Sequence, residues 1–432
     1  MRRVLVFYNI LQVVALIVVA PLFFVKSILT PRHRGRIGLR LGLGLAKEVG
    51  RLPEGRPRLW IHALSVGEVS SSRALVFGLR ERYPDATLIF SATTRAGLVY
   101  ARETLGKTVD RVIPFPYDFY WSVRRAIQLV HPDLFILVET DFWPNMLGQL
   151  AGRRIPALLV NGRISAEGFR NYQRFRFLFA PLFNSFRLLS MQTEGDAEQM
   201  RQLGVETGRV ESLGNLKYAV LPEQASAAAV RQRFAIPPGK RVWVAGSTHP
   251  GEEAVLFRAF ARLIERFPDL FMILAPRDVS RAGALLDEAH HLGLKAGLRS
   301  MPRMPGVNLL ILDTLGELAT LYAVADAAFI GGSLVEERGH NPLEPAALGK
   351  PVLFGPHMED FAEISRDLVA HGAAVRVADE AALAEQLAAW LADPGRAQGV
   401  GAQGLALVAE RQQGIVSRYL ATVARLLDGE DA

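Results

Sequence analysis

Cysteine is absent from all 432 residues. That excludes disulfides and thiolate metal sites, and it allows a reducing compartment. Histidine is scarce, nine in all, and scattered; the adjacent pair His290-His291 points to different faces of a helix. With neither cysteine nor clustered histidine, no metal site and no resident cofactor are expected. Zinc-finger spacing, the aromatic signature of RNA-binding sheets and long Lys/Arg tracts are also missing, which sets nucleic acid aside as a partner. Charge is present and unbalanced: 50 Lys and Arg against 43 Asp and Glu leave a formal +7. Such an excess suits an anionic partner, a phospholipid surface or a phosphorylated substrate. The length accommodates two α/β domains, each with its own core.

One long apolar run is present. Residues 4–25 are interrupted only by Asn9, Gln12 and Pro21, and the length is just enough to cross a bilayer as a helix. Arg2 and Arg3 precede the run, and Lys26, Arg32, Arg34, Arg36 and Arg40 follow it. The larger positive cluster lies after the run, which places the globular part on the cytoplasmic side of the membrane. No small-x-small site follows, so the run reads as an uncleaved anchor instead of a signal peptide. Pro21 and the polar residues leave both a spanning and an interfacial position open. The anchor is expected to contribute nothing to chemistry.

From residue 58 onward, short apolar runs alternate with amphipathic stretches. Strands are expected at 59–63, 87–90, 134–138, 157–160 and 188–191, then at 242–245, 270–274, 309–312, 327–330, 352–354 and 374–377. A composition break at 221–240, with Pro222 and Pro237-Pro238-Gly239, reads as a linker. The alternation argues two α/β domains with parallel sheets facing a cleft, ligands lying at the carboxyl ends of the strands. The expected division is an anchor at 1–30, a first domain at 31–220 and a second at 221–432, whose last helix can pack back on the first.

Several strand ends carry chemistry. Gly331-Gly332-Ser333 closes one strand, and His340-Asn341-Pro342-Leu343-Glu344 opens a helix, with Asn341 at the cap, Pro342 first and Glu344 third. A glycine loop beside a helix N-terminus is a cradle for phosphate. Glu344 then either caps the helix or holds ribose hydroxyls. After the first strand, Ser65-Val66-Gly67-Glu68 has the same capping spacing. Glu68 is therefore a cap or a general base, while Ala63-Leu64-Ser65-Val66-Gly67 also reads as a degenerate nucleophile elbow of a membrane-anchored serine hydrolase. Glu139 and Asp141 follow a strong strand, where they hold a metal–nucleotide, orient a sugar hydroxyl or cap a helix. Arg163 leads into arginines interleaved with aromatics at 169–176, an exposed face or a grip on an anionic headgroup. Gly246-Ser247-Thr248-His249, Ala275-Pro276-Arg277 and Asp313-Thr314 end three further strands, and Arg277 is the fixed cation among them.

Taken together, these residues resemble the bacterial 3-deoxy-D-manno-octulosonic acid (Kdo) transferase family. The match includes His62 with Ser65-Val66-Gly67-Glu68, the 139–145 stretch, Asn161-Gly162-Arg163, Gly214-Asn215-Leu216-Lys217 and Ser247-Thr248-His249. It continues through Ala275-Pro276-Arg277, Asp313-Thr314, Gly331-Gly332-Ser333, the 339–346 block and Gly355-Pro356-His357. The resemblance implies a GT-B fold of two Rossmann-like domains and inverting, metal-independent transfer of Kdo from CMP-Kdo to the lipid A precursor lipid IVA at the inner membrane. It implies Glu68 as the base, and Glu139, Asp141 and Arg163 as acceptor-orienting residues. It implies Lys217, Ser247, His249, Pro276, Arg277, Thr314, Gly332, Asn341 and Glu344 as the donor site. Asp141, Arg338 and Asp360 depart from the family pattern, where Glu, Gly and Asn stand. A GT-B enzyme using a UDP-sugar is the alternative within the fold.

Overall fold

The computed structural model describes residues 4–15, 17, 34–139, 142–219, 225–302 and 306–429. The chain forms two compact units. The first comprises Met1–Ala219 and Gln412–Ala432, and the second is Val220–Arg411.

In the first unit seven strands form one parallel sheet: β1 Arg58–Ala63, β2 Thr87–Ala92, β3 Arg111–Pro114, β4 Leu134–Val138, β5 Ala157–Gly162, β6 Leu188–Met191 and β7 Val210–Ser212. Their order is β3-β2-β1-β4-β5-β6-β7. Every residue of β2, β4 and β5 is buried, as expected of parallel strands covered on both faces. Trp60, Phe115, Phe135 and Leu147 stand in the core beneath the helices. The helix Ile415–Asp428 belongs to this unit: Tyr419 donates to the Gly214 carbonyl at 3.0 Å, and Thr422 donates to Glu211 at 3.1 Å.

The second unit repeats the plan with β8 Arg241–Thr248, β9 Leu270–Pro276, β10 Ala296–Leu298, β11 Leu309–Ile311, β12 Ala327–Ile330, β13 Val352–Phe354 and β14 Ala374–Arg376. The order is β10-β11-β9-β8-β12-β13-β14, again all parallel. Its core gathers Trp243, Phe257, Phe260, Phe329 and Trp390.

Of the N-terminal apolar run, read as spanning or interfacial, only part is described. Residues 4–15 and 17 are helical, the rest of the run lies outside the described residues, and no described helix is long and apolar enough to cross a membrane. The expected helix after His340 is reduced. It spans only Leu343–Ala346, with Pro342 in the cap position, because Gly349 turns left-handed at φ 67 and the N–H of Lys350 doubles back to the Pro345 carbonyl at 3.0 Å. Asn341 accepts from Leu343 N at 3.0 Å and donates to Glu344 at 3.3 Å.

Candidate active site

Parallel strands bring their carboxyl ends to one edge, with neighbours about 4.8 Å apart. In the first unit, β1, β4, β5 and β6 are consecutive at that edge. Glu68 lies in the first turn of the helix Val66–Arg82, which follows β1. Its carboxylate accepts from Leu64 N at 2.5 Å and from Ser65 Oγ at 3.4 Å. The Ser65 side chain makes no capping bond to the helix, so the capping box is only half formed. A serine nucleophile would need a base beside it. The nearby histidine, His62, is turned elsewhere: Nδ1 lies 3.1 Å from both Ser91 O and Oγ, and Nε2 3.4 Å from Thr93 Oγ1. Burial pushes its pKa down to about 3, which keeps the ring neutral, and it stacks on Phe115 at 3.6 Å between centroids.

Glu139 follows β4 in a left-handed conformation, φ 62, which is uncommon for a residue with a side chain. Its buried carboxylate is surrounded by Asn161 Nδ2 at 3.5 Å, Lys217 Nζ at 3.7 Å and Arg163 Nε at 3.9 Å. Asn161, also left-handed, is held from three sides. Its N–H donates to Tyr419 Oη, its Oδ1 accepts from Leu216 N, and its carbonyl accepts from Gln192 Nε2. Lys217 therefore groups with Glu139 and Arg163 on this edge, although it was expected among the donor residues. Asp141 lies outside the described residues.

In the second unit, β11, β9, β8 and β12 are consecutive. Their ends carry Thr314, Pro276 with Arg277, Ser247 with His249, and Gly332. Ser247 sits at the register shift between β8 and β9 with φ 58. Arg277 is exposed, and among the described residues no carboxylate pairs with its guanidinium. His249 and His340 face each other with Nε2 atoms 2.8 Å apart, so one ring donates and the other accepts. Burial and the charge of Arg277 push His340 down to about 4. Thr314 Oγ1 donates to Glu317, leaving its oxygen to meet a ligand only as an acceptor. Glu317 is itself paired with Arg233 at 2.9 Å and Arg299 at 3.4 Å.

The glycine loop corrects an expectation. The N–H groups of Gly332, Ser333 and Leu334 are not presented to a ligand. They donate to the buried Glu252 carboxylate at 2.6, 2.9 and 2.8 Å, and His249 N joins them at 3.0 Å. Gly332 is still demanded: φ is 67, and a Cβ would meet His340, Glu337 and His249 at 3.3–3.4 Å. Its part is to let the loop wrap Glu252 beside the histidine pair. The wrapped loop leaves no local signal at Glu252, because three of its four N–H partners lie 80–82 residues away.

Comparison with known proteins shows the family of the chain. A family model described as 3-deoxy-D-manno-octulosonic-acid transferase (kdotransferase) matches residues 36–220, and one described as glycosyl transferases group 1 matches 254–405. The 3-deoxy-D-manno-octulosonic acid transferase of Haemophilus influenzae is 32% identical over 346 residues, 79% of this chain and 80% of that protein. The chain belongs to the Kdo transferase family. The Bordetella pertussis Kdo transferase is likewise 32% identical, over 387 residues and 86% of each chain. Among solved structures, Anabaena HepE in complex with UDP and glucose aligns with TM-score 0.56 and 17% identity, covering 85% of this chain and all of that one. That likeness concerns the fold alone, the GT-B plan of two parallel-sheet α/β units.

Proposed function

We propose that this family member transfers Kdo from CMP-Kdo to a hydroxyl of the lipid A precursor lipid IVA in lipopolysaccharide core biosynthesis, with inversion and without a metal. The observation that carries the reading is the edge of the second sheet. Four neighbouring strand ends present Thr314, Arg277, the His249–His340 pair and the Asn341–Glu344 pair, with Arg277 free to meet the single phosphate of a CMP-sugar. A guanidinium is suited to that phosphate, and Glu344 to the ribose.

The anomeric carbon of Kdo bears a carboxylate and has no neighbouring 2-hydroxyl, so its transition state is cationic and the leaving group needs stabilisation. The acceptor oxygen forms a bond to that carbon as the carbon–phosphate-oxygen bond breaks. CMP leaves with the electron pair, and the acceptor proton passes to Glu68. Arg277 stabilises the growing charge on CMP, and Glu68 is the general base. Glu139, fixed by Arg163 and Lys217, orients the acceptor.

A lipid acceptor fits the N-terminal helix. Val6, Phe7, Ile10, Leu11, Val13, Val14 and Ile17 are all exposed, as are Tyr120 and Trp121. An exposed apolar helix on a basic protein is suited to lying in the interface of an anionic membrane. The proposed location is the cytoplasmic face of the inner membrane.

The test is mass spectrometry of the product from CMP-Kdo and detergent-dispersed lipid IVA, with and without EDTA. One or more added Kdo units, undiminished by EDTA and inhibited by CMP in preference to UDP, are expected. Loss of product in EDTA that magnesium restores would make the transfer metal-dependent. Absence of product with CMP-Kdo but turnover of a UDP-sugar would overturn the donor assignment.

A further inference from the structure

The helix Pro144–Gly152 begins without a local cap. Trp143 at the cap position makes no side-chain bond to the helix, and Pro144 has no N–H. The open N–H groups of Asn145 and Met146 are instead taken by the two carboxylate oxygens of Asp118, each at 2.9 Å. Asp118 is 5% exposed. Its backbone carbonyl accepts from Asn145 Nδ2 at 2.6 Å and from Gln12 Nε2 at 3.0 Å. Tyr8 hydrogen-bonds its carboxylate. Asn145 also exchanges two bonds with Asn9, at 2.9 and 3.1 Å, and donates to Gln12 at 3.3 Å.

Tyr8, Asn9 and Gln12 are thus the inward stripe of a helix whose apolar residues point out. Two of them are the polar interruptions of the N-terminal run. The two helices meet closely: a Cβ on Gly148 would lie 2.4 Å from Leu5 Cδ1.

What this stripe holds lies next to the site. Trp143 precedes the clamped turn and packs on Phe115 at 5.6 Å between centroids. Phe115 is the ring on which His62 stacks, at the end of the strand that leads to Glu68. Phe142 packs edge-on against Phe183 at 4.8 Å. Phe142 and Trp143 are therefore held by aromatic packing on one side, and the helix turn that follows them by the N-terminal helix on the other.

We propose that the N-terminal helix is a positioning element for the acceptor-side chemistry, through Asn9 and Gln12 acting on Asn145 and Asp118, and not a membrane anchor alone. The inference rests on the transferase reading above. Asn9 and Gln12 are positioning residues: they set Trp143 and, through Phe115, the strand-end loops that bear Glu139 and Glu68.

The test is the Asn9→Leu/Gln12→Leu double variant in the full chain. Leucine keeps or raises the helix's affinity for membranes while removing the bonds, so anchoring and positioning separate. The expected result is unimpaired binding to vesicles of phosphatidylglycerol and phosphatidylethanolamine. Turnover on detergent-dispersed lipid IVA should fall about tenfold or more in kcat, with an unchanged KM for CMP-Kdo and a shifted Trp143 emission. Wild-type turnover in the same assay reports on the transferase reading itself. If the double variant does not fold, Asn9→Ala alone serves, and the same split between kcat and donor KM is expected. Turnover within twofold of wild type in a folded, vesicle-bound variant would overturn the proposal.

Discussion

Glu68 shows how the chemistry of one residue leaves two roles open. Its spacing from Ser65 matches a capping box, and a carboxylate at a strand end also suits a base. In the structure the carboxylate accepts from Leu64 N while the Ser65 side chain makes no capping bond, and a substitution can separate the two roles. A glutamine can make the same bond to Leu64 but cannot take a proton at neutral pH. Glu68→Gln is therefore expected to fold and melt like the wild type, bind CMP equally, and lose about a hundred- to ten-thousand-fold in kcat. Turnover within a few-fold of wild type at saturating substrates would move the base to another carboxylate, with Glu139 next in line. On the donor side, Arg277→Ala should lower kcat and donor affinity together, since the guanidinium meets a phosphate whose charge grows in the transition state; a change in KM alone would reduce Arg277 to ground-state binding. Glu139 and Arg277 were legible as strand-end residues because each follows an apolar run. The loop that Glu252 holds and the cap that Asp118 supplies were not, since those N–H groups lie 80 and 27 residues away and leave no local pattern.

At the scale of elements, the buried strands were readable, and of the four edge strands only β14 was. The strands that sequence reasoning missed are β3, β7 and β10, all at sheet edges. Their partly exposed patterns break the continuous apolar run that marks an interior parallel strand. Helix starts with a local cap followed the rules: Thr94, Ser165 and Thr193 each accept from the third residue on. The helix Pro144–Gly152 was expected after Pro144, but its cap, Asp118, comes from 27 residues away and has no local signal. That cap has a titration of its own. Burial pushes Asp118 from the ordinary 3.8 up to about 7, although the N–H groups of Asn145 and Met146 and the bond from Tyr8 pull the other way. The folded state then holds a proton that the unfolded chain has released between about pH 4 and pH 7. Stability contributed by the protonated carboxyl is full below that window and is lost as pH rises through it. Asp118→Asn carries no such proton. Its melting temperature relative to wild type should therefore improve steadily from pH 4 to 7, by an amount on the order of a few kcal/mol. A difference that stays flat with pH would show that Asp118 is ionised throughout and held by its N–H bonds.

At the scale of the molecule, the two-sheet plan and the basic excess were legible from alternation and composition. The way the chain is shared between the units is a matter of long-range packing. Tyr419 and Thr422, more than 200 residues from Gly214 and Glu211, close the first unit, and no periodicity in the final helix announces its partner. The second unit is in consequence one uninterrupted piece, Val220–Arg411, with its own seven-stranded sheet and core. It holds Ser247, His249, Pro276, Arg277, Thr314, Gly332, Asn341 and Glu344, whereas Glu68, Glu139, Arg163 and Lys217 belong to the first. If donor recognition follows that division, Val220–Arg411 expressed alone should melt cooperatively and bind CMP with a Kd within about tenfold of the full chain, ~1.4 kcal/mol. It should transfer no Kdo, because the base and the acceptor-orienting residues are missing. Calorimetric titration with CMP, alongside a melting curve, makes the comparison. A folded second unit that bound CMP more than a hundredfold weaker would assign a large share of donor affinity to the first unit. Lys217→Ala in the full chain would then be the variant to examine, since its ammonium is the cation originally expected at the donor.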